Sequence, residues 1–559
     1  MCTKKFPTKT VSVLLLLTIM LSLAACGKTG TSTPSNSQDT GVQQQQTVDD
    51  GSQVDTFTLM LRTDPTLGDW NKMWCMDIIE EKTKVRFEVT AVSKEGWEEK
   101  KNLAFATGNY PDCFLNDLSD IDLATYGGQG IILALEKYIT PEIMPNFYAV
   151  MNDGYPSLKA SMTFPDGHIY SFKGLSGAER EYALNRFWLN KAWAEKLGVK
   201  IPETLDEFYT YLKAVKDGDP NENGDPTDEI PLGGKYDPQG DPYYDAFIPI
   251  LTAFGFTERR YEAVDGVVQY NPVQPVYKEF LKYMHKLYSE GLIDPEYFSQ
   301  TDDLRKSKEA QGLVASFTDH AAWLNIPDEN IWRQYGSIEP MTSAYNDKKL
   351  WPAKDAILYG ALAITNKVKD EAKIIKLMKF CDWCYSEEGT TALWRGPEKG
   401  TIPGQPDYGW YWEEVDGVKL RKYAYPQDKY KSSSEWIAAE IKPGNNYWPY
   451  AGTAKRSDPV DKKSSSWHLT ENIVTYNLPY YHVGWPVTIR FTPEESDELS
   501  LIRTDLESFV EQMEAQMIIG EIDIDTGFDT LVKGCEARNL SRYLQILQKA
   551  YDRYVAALN

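Results

Sequence analysis

The sequence predicts an α/β fold built as two lobes, and three observations predict it. After a polar stretch that ends near residue 54, apolar Phe57–Leu61, helically spaced Trp70–Thr83 and alternating Val85–Thr90 read as strand, helix and strand. About 500 residues follow that stretch, and single cores stop growing near ~250–300 residues. Helical patterns dominate the remainder, which excludes an all-β sandwich.

The elements follow in order. A helix from Trp97 to Thr107 leads through Gly108-Asn109-Tyr110-Pro111-Asp112 to a third strand at Cys113–Leu115. Strand-helix-strand order implies parallel strands, whose carboxyl ends are where such sheets bind ligands. Asn116 and Asp117 stand at that end. Phe187–Asn190 reads as a strand, Lys191–Gly198 as a short helix closed by glycine, and Thr204-Leu205-Asp206-Glu207 as a capping box opening the next helix. Tyr277–Tyr288 is amphipathic. Two last helices are expected from about Glu494 to Ile519 and from Asn539 to Ala557.

The amino terminus carries Lys4 and Lys5, an apolar run from Val11 to Leu23, and Leu23-Ala24-Ala25-Cys26-Gly27. That run is too short for a comfortable membrane span, and small residues before a lone cysteine mark a bacterial lipoprotein signal. Residues 1–25 are expected to be removed and Cys26 to carry acyl chains, palmitate among them, that hold the protein on the outer face of the cell membrane. Residues 26–54 are rich in Ser, Thr, Gln, Asn and Gly and read as a disordered tether.

The chain has 59 Lys and Arg against 82 Asp and Glu, a formal net charge of −23. Removing residues 1–25 takes Lys4, Lys5 and Lys9 and no acid, so the remainder is more acidic still. Such a field argues against nucleic acid as partner. Beyond Cys2 and Cys26 there are five cysteines, an odd number without disulfide-framework spacing. Cys381 and Cys384 form a CxxC inside a helical pattern and read as ordinary helix residues. No pair of the five histidines has zinc-binding spacing.

Asp219-Pro-Asn221-Glu-Asn223-Gly224-Asp225-Pro-Thr-Asp228-Glu229 places oxygen side chains at alternate positions, then glycine at the sixth. Ca²⁺ requires this arrangement of hard oxygens around a sharp turn. Asp219, Asn221 and Asn223 supply side chains and Asp225 its carbonyl. Position twelve is Ile230, so Asp228 or Glu229 closes the shell. The expected role is structural.

Sixteen Trp and 35 Tyr are a heavy aromatic load. Sugars lay C–H faces on aromatic rings while planar polar groups take the hydroxyls. Asp241-Pro242-Tyr243-Tyr244-Asp245-Ala246-Phe247 and Thr318-Asp319-His320-Ala321-Ala322-Trp323 mix both kinds of group. Trp351, Trp394, Trp410, Trp412, Trp448, Trp467 and Trp485 are further aromatic candidates.

ATGNYPD at 106–112, LNKAWAEKLGVKIPETLDEF at 189–208 and YSEEG at 385–389 resemble the extracellular solute-binding proteins of family 1, the carbohydrate-binding subunits of ABC importers. The Asp219 loop resembles the calcium loop of the family's alginate-oligosaccharide-binding branch, one residue longer before the acid pair. The resemblance implies a periplasmic-binding-protein-like fold with a hinge, an interlobe cleft and three crossovers, near Ser171–Gly177, Ala356–Ala361 and Trp394–Ile402. Lobe one is then 55–173 with 357–398, and lobe two 174–356 with 399–559. It further implies an oligosaccharide bound without chemical change and passed to membrane permease subunits. Tyr243, Trp323 and Trp485 are the expected stacking residues, and Asn116, Asp117, Asp241 and Asp319 the expected hydroxyl partners. No catalytic residue is assigned. A surface-tethered glycoside hydrolase or lyase and a peptide-binding lipoprotein are the alternatives.

Overall fold

Alternation of apolar residues in the first strand decides how its sheet is covered. In the computed structural model, which describes residues 53–558 apart from 156, 176–181, 184–185, 238–243, 355–356, 361, 444–446 and 450–460, this strand runs Asp55–Thr63. Phe57, Leu59 and Leu61 enter one core, while Met60 turns to the opposite face against Trp97, Phe105 and Phe114. Both faces are therefore dry, as a sheet flanked by helices requires. Val85–Ser93 and Cys113–Leu115 pair with it in parallel, Asp55 opposite Val85 and Leu59 opposite Cys113. Leu362–Ile364 returns antiparallel on the outer edge of Cys113–Leu115.

The intervening helix Trp97–Thr107 ends at Gly108, whose φ of 70° lets its N–H reach the carbonyls of Ala104 and Phe105. Glu371–Tyr385 covers the other face with Ile374, Leu377, Met378, Cys381 and Cys384 buried. Both thiols of the CxxC are in this core, and burial pushes them well above the usual thiol range.

A second core is assembled around Phe187–Asn190, the centre of an antiparallel sheet with Ser316–Thr318 and Tyr335–Gly336. The helices Leu205–Lys216, Pro275–Ser289, Pro493–Ile519 and Leu540–Leu558 pack around it. At the start of Leu205–Lys216, Thr204 Oγ1 accepts from the Glu207 N–H as expected, but Glu207 reaches back to the N–H of Glu203. An unanticipated helix, Ile524–Ala537, lies between the last two. Its glycines permit close approach, since a Cβ on Gly534 would sit 2.2 Å from the Phe509 ring. Among the described residues no helix is long and apolar enough to cross a membrane.

The first core draws its residues from the chain up to Leu175 and the second from Ala183 to Trp351; Leu362 returns to the first. Crossover strands Lys173–Leu175 and Ile357–Gly360 lie side by side. The third crossing does not fall at Trp394–Ile402, because the following stretch stays with the first core. Trp436, Ile402 and Ile441 gather beside Trp74, and Trp448 lies 6.2 Å from Trp70, 6.2 Å from Phe87 and 5.9 Å from Phe380. From Leu469 onward the buried residues are in the second core. Trp436 and Trp448, expected in lobe two, are thus buried beside residues of the first core, a preference carried by tertiary partners and not by local pattern.

Candidate functional site

After Leu115 the chain makes a corner with two successive left-handed residues, Asn116 at φ 58° and Asp117 at φ 56°. Only short polar side chains visit this region readily, which is why Asn and Asp stand there. Ser119 then closes a capping box that opens the helix Asp120–Gly128. Arg62, at the end of the neighbouring strand, meets Asp117 Oδ1 at 2.8 Å, and the Trp97 indole N–H donates to the Asp117 carbonyl at 3.0 Å. Burial raises the Asp117 carboxyl above the usual carboxylate range against the opposing pull of Arg62. Tyr447 stands near this pair, its ring 5.0 Å from Trp70. Asn116 and Asp117 are therefore at the strands' carboxyl ends, as the sequence suggests. Arg62 and Tyr447 were not anticipated, because neither belongs to a motif.

The second core presents the turn after Ser316–Thr318. Trp188 Nε1 donates to the Asp319 carbonyl at 2.9 Å, and Arg186 Nη1 to that of His320 at 2.9 Å. The Asp319 carboxylate is not turned out to solvent: at 2 % exposure it meets Arg305 at 3.2 Å, Asn325 Nδ2 at 2.7 Å and the His320 N–H at 2.6 Å. Its expected hydroxyl contact is replaced by an internal one. Trp323 is half-buried, with its ring 5.6 Å from Trp332, which lies 5.3 Å from His468. Asp241 and Tyr243 lie outside the described residues.

Trp485 is corrected from site to core. It is 8 % exposed and packs edge-on against Tyr261 at 4.9 Å and beside Tyr551 at 6.0 Å. Gly484-Trp485-Pro486 reads locally as a loop, yet Tyr261 and Tyr551 bury the ring from distant parts of the chain. Trp351, Trp410 and Trp448 are buried as well, whereas Trp394, Trp412 and Trp467 are half-buried. A cavity of about 1260 Å³ lined by Trp74, Trp410 and Tyr430 lies between the helices Trp74–Thr83 and Glu387–Arg395, and none of the residues at the two strand ends line it.

The Asp219 loop closes on itself. Gly224, at φ 89°, donates to Asp219 Oδ2 at 3.0 Å, and the N–H groups of Asn223 and Asp225 donate to Asn221 Oδ1 at 2.9 Å and Asn223 Oδ1 at 2.8 Å. Asp225 turns its carboxylate to Thr227, consistent with contributing only its carbonyl. Asp228 takes amide hydrogens from Asn221 at 3.3 Å and Asn223 at 2.7 Å. Asp219 Oδ1 and both Glu229 oxygens are buried without a hydrogen-bond donor. Burial raises the Glu229 carboxyl, and Asp228 and Asp219 add to the rise. Among the described residues no three His, Cys, Asp or Glu side chains are drawn into a preformed cluster. The donor set is instead a mixture of carboxylate, amide and carbonyl oxygens, and its donorless buried oxygens fit a hard dication.

Beneath the Asp319 turn, Glu309 has its carboxyl raised to about 7 by burial, with Arg305 opposing and Asp319 adding to the rise. A raised carboxyl stabilises the fold fully below its ordinary value of 4.5, and that contribution is lost as pH rises through about 7. The urea midpoint of wild type is expected to fall from pH 5 to pH 8 more steeply than that of Glu309→Gln. Equal slopes would show that Glu309 does not titrate there.

Two α/β cores joined by side-by-side crossover strands, with polar and aromatic side chains at the strand ends of each, define a two-lobed binding protein. Residues 76–391, more than half of the chain, match the family model of the bacterial extracellular solute-binding proteins, and the chain belongs to that family. It is 28 % identical over 590 aligned positions to the fructooligosaccharide ABC transporter substrate-binding protein FusA of Streptococcus pneumoniae serotype 4, covering 99 % of this chain and 100 % of that one. The structure of S. pneumoniae FusA in complex with kestose superposes with a TM-score of 0.68 at 26 % identity, over 90 % of this chain and 100 % of that chain. A FusA EF-hand mutant in complex with fructo-nystose gives the same values. An HMO-binding, ABC-transporter-associated solute-binding protein of Bifidobacterium longum infantis shares the fold, with a TM-score of 0.74 at 21 % identity over 90 % of this chain and 99 % of that chain.

Proposed function

We propose that this protein is the substrate-binding lipoprotein of an ABC importer, which captures a neutral oligosaccharide between its lobes and delivers it unchanged to membrane permease subunits. The end-to-end match to a protein named for fructooligosaccharide binding carries this reading. Half-buried Trp323 supplies a stacking face, and Asn116, Asp117 and Arg62 supply planar polar groups for hydroxyls. Asp241 and Tyr243 remain assigned to the same ligand. Lobe one comprises 55–175 with 362–448, and lobe two the chain from 183 to 351 with that from 461 onward. Cys26 carries the lipid anchor, the Asp219 loop holds a structural Ca²⁺, and the protein is not an enzyme. Its acidity disfavours uronates.

Protein lacking residues 1–26 is expected to bind kestose or another neutral oligosaccharide in calorimetry and to return it intact. Trp323→Ala is expected to weaken binding about tenfold, the loss of roughly 1.4 kcal/mol of ring contact. A shortened sugar would establish a hydrolase or lyase instead, and stabilisation by peptides alone would replace the sugar by a peptide.

A further inference from the structure

Both ends of the turn that carries Trp323 are tied to one buried ion pair. Arg305 and Glu309 lie one turn apart on the helix Asp302–Ala310, 2.6 Å from each other, and are 2 % and 1 % exposed. Arg305 Nη1 reaches Asp319 Oδ2 at 3.2 Å, where the turn begins, while its Nε donates to Asp302 at 3.0 Å. Asn325, where the turn ends, donates to Glu309 Oε2 at 2.6 Å and to Asp319 Oδ2 at 2.7 Å. Between these anchors Ala321 and Ala322 are buried and Trp323 stands half out, resting on Trp332. The Tyr244 ring lies 5.3 Å from the same guanidinium.

Apolar residues would hold a helix against a turn as well as a buried ion pair does, since desolvating such charges consumes much of their attraction. What a guanidinium adds is direction, because its planar fork fixes where each carboxylate sits. Here that direction is imparted to Asp319 and, through Glu309, to Asn325. Between them the half-buried Trp323 ring and the exposed Leu324 are the parts of the turn left toward solvent.

We propose that Arg305 is a positioning residue for ligand capture: without touching the ligand, it sets the Asp319–Asn325 turn and so the Trp323 ring. The proposal rests on the oligosaccharide reading above for its ligand, and on the geometry alone for the ordering of the turn.

The test uses the chain lacking residues 1–26, with kestose as probe in calorimetry. Arg305→Met is expected to weaken binding about tenfold and Arg305→Lys to recover part of the loss. Arg305→Met combined with Trp323→Ala is expected to bind within about twofold of Trp323→Ala alone, because the two residues act through one contact. Additive losses would overturn the proposal. Hydrogen exchange tests it without a ligand: amides 319–325 are expected to exchange at least about tenfold faster in Arg305→Met, with Pro493–Ile519 unchanged. Unchanged exchange in the turn would also overturn it. If wild type binds no glycan, the oligosaccharide reading fails and exchange still decides the positioning role. If Arg305→Met does not fold, Asn325→Ala releases the other end of the turn and serves in the same cycle and exchange measurement.

Discussion

Glu514→Ala is expected to destabilise the second core by about 3–5 kcal/mol, the cost of leaving a buried ion without its partner. Glu514 is fully buried on the helix Pro493–Ile519. Its Oε1 accepts from Arg260 Nη1 at 2.8 Å and the Tyr277 hydroxyl at 2.5 Å, and its Oε2 from Arg259 Nη2 at 2.9 Å and the Tyr236 hydroxyl at 2.8 Å. Burial pushes this carboxyl up, but Arg260 and Arg259, with the Tyr277 and Tyr236 hydroxyls, outweigh it and hold the group below its ordinary range. The linked stability is therefore present above the ordinary carboxylate range and lost as pH falls through the lower folded value. Alanine leaves Arg259 with Asp245 at 3.3 Å and Arg260 with Glu511 at 3.7 Å. Urea unfolding followed by circular dichroism measures the loss, and hydrogen exchange in Pro275–Ser289 locates it. A change below about 1 kcal/mol would mean that the two guanidinia find water or other partners.

Calcium is expected to raise the stability of wild type by about 2.7 kcal/mol at a hundredfold excess over its dissociation constant, and EDTA to remove that gain. The loop leaves Asp219 Oδ1 and both Glu229 oxygens buried without donors. A dication would satisfy all three and cancel the repulsion from Asp228 and Asp219 that adds to the burial-driven rise of Glu229. Protons compete for that raised carboxyl, so calcium affinity should fall as pH drops toward the carboxylate range. Asp219→Ala and Glu229→Gln should each abolish most of the calcium-dependent shift in the unfolding midpoint. A wild-type midpoint indifferent to calcium, or a Glu229→Gln variant that responds fully, would leave the loop a plain acidic turn.

Elements with strong local signals were legible residue by residue. Trp97–Thr107 starts and stops where the sequence places it, because Gly108 supplies the left-handed cap. The parallel register of Asp55–Thr63 with Val85–Ser93 follows from the same strand-helix-strand order. Ile524–Ala537, unanticipated from the sequence, carries two glycines, and Gly534 is there for the Phe509 ring. Among candidate ligand residues, Asn116 and Asp117 occupy the strand end, but Asp319 and Trp485 face inward. Arg305 and Glu309 carried one signal, an i,i+4 ionic pair, which on sequence alone describes a solvated helix face equally well.

The sequence by itself determined the α/β class, the parallel opening unit and the spacing of the oxygen-rich loop, because each depends on neighbours within a dozen or so residues. Tertiary structure alone decided that Trp436 and Trp448 pack beside the first core, that Trp485 is packing, and that Asp319 binds Arg305. Those outcomes depend on partners far away in the chain, Tyr551 for Trp485 and Phe87 for Trp448. Local periodicity reports which face of an element is apolar; it carries no information about which distant surface buries that face.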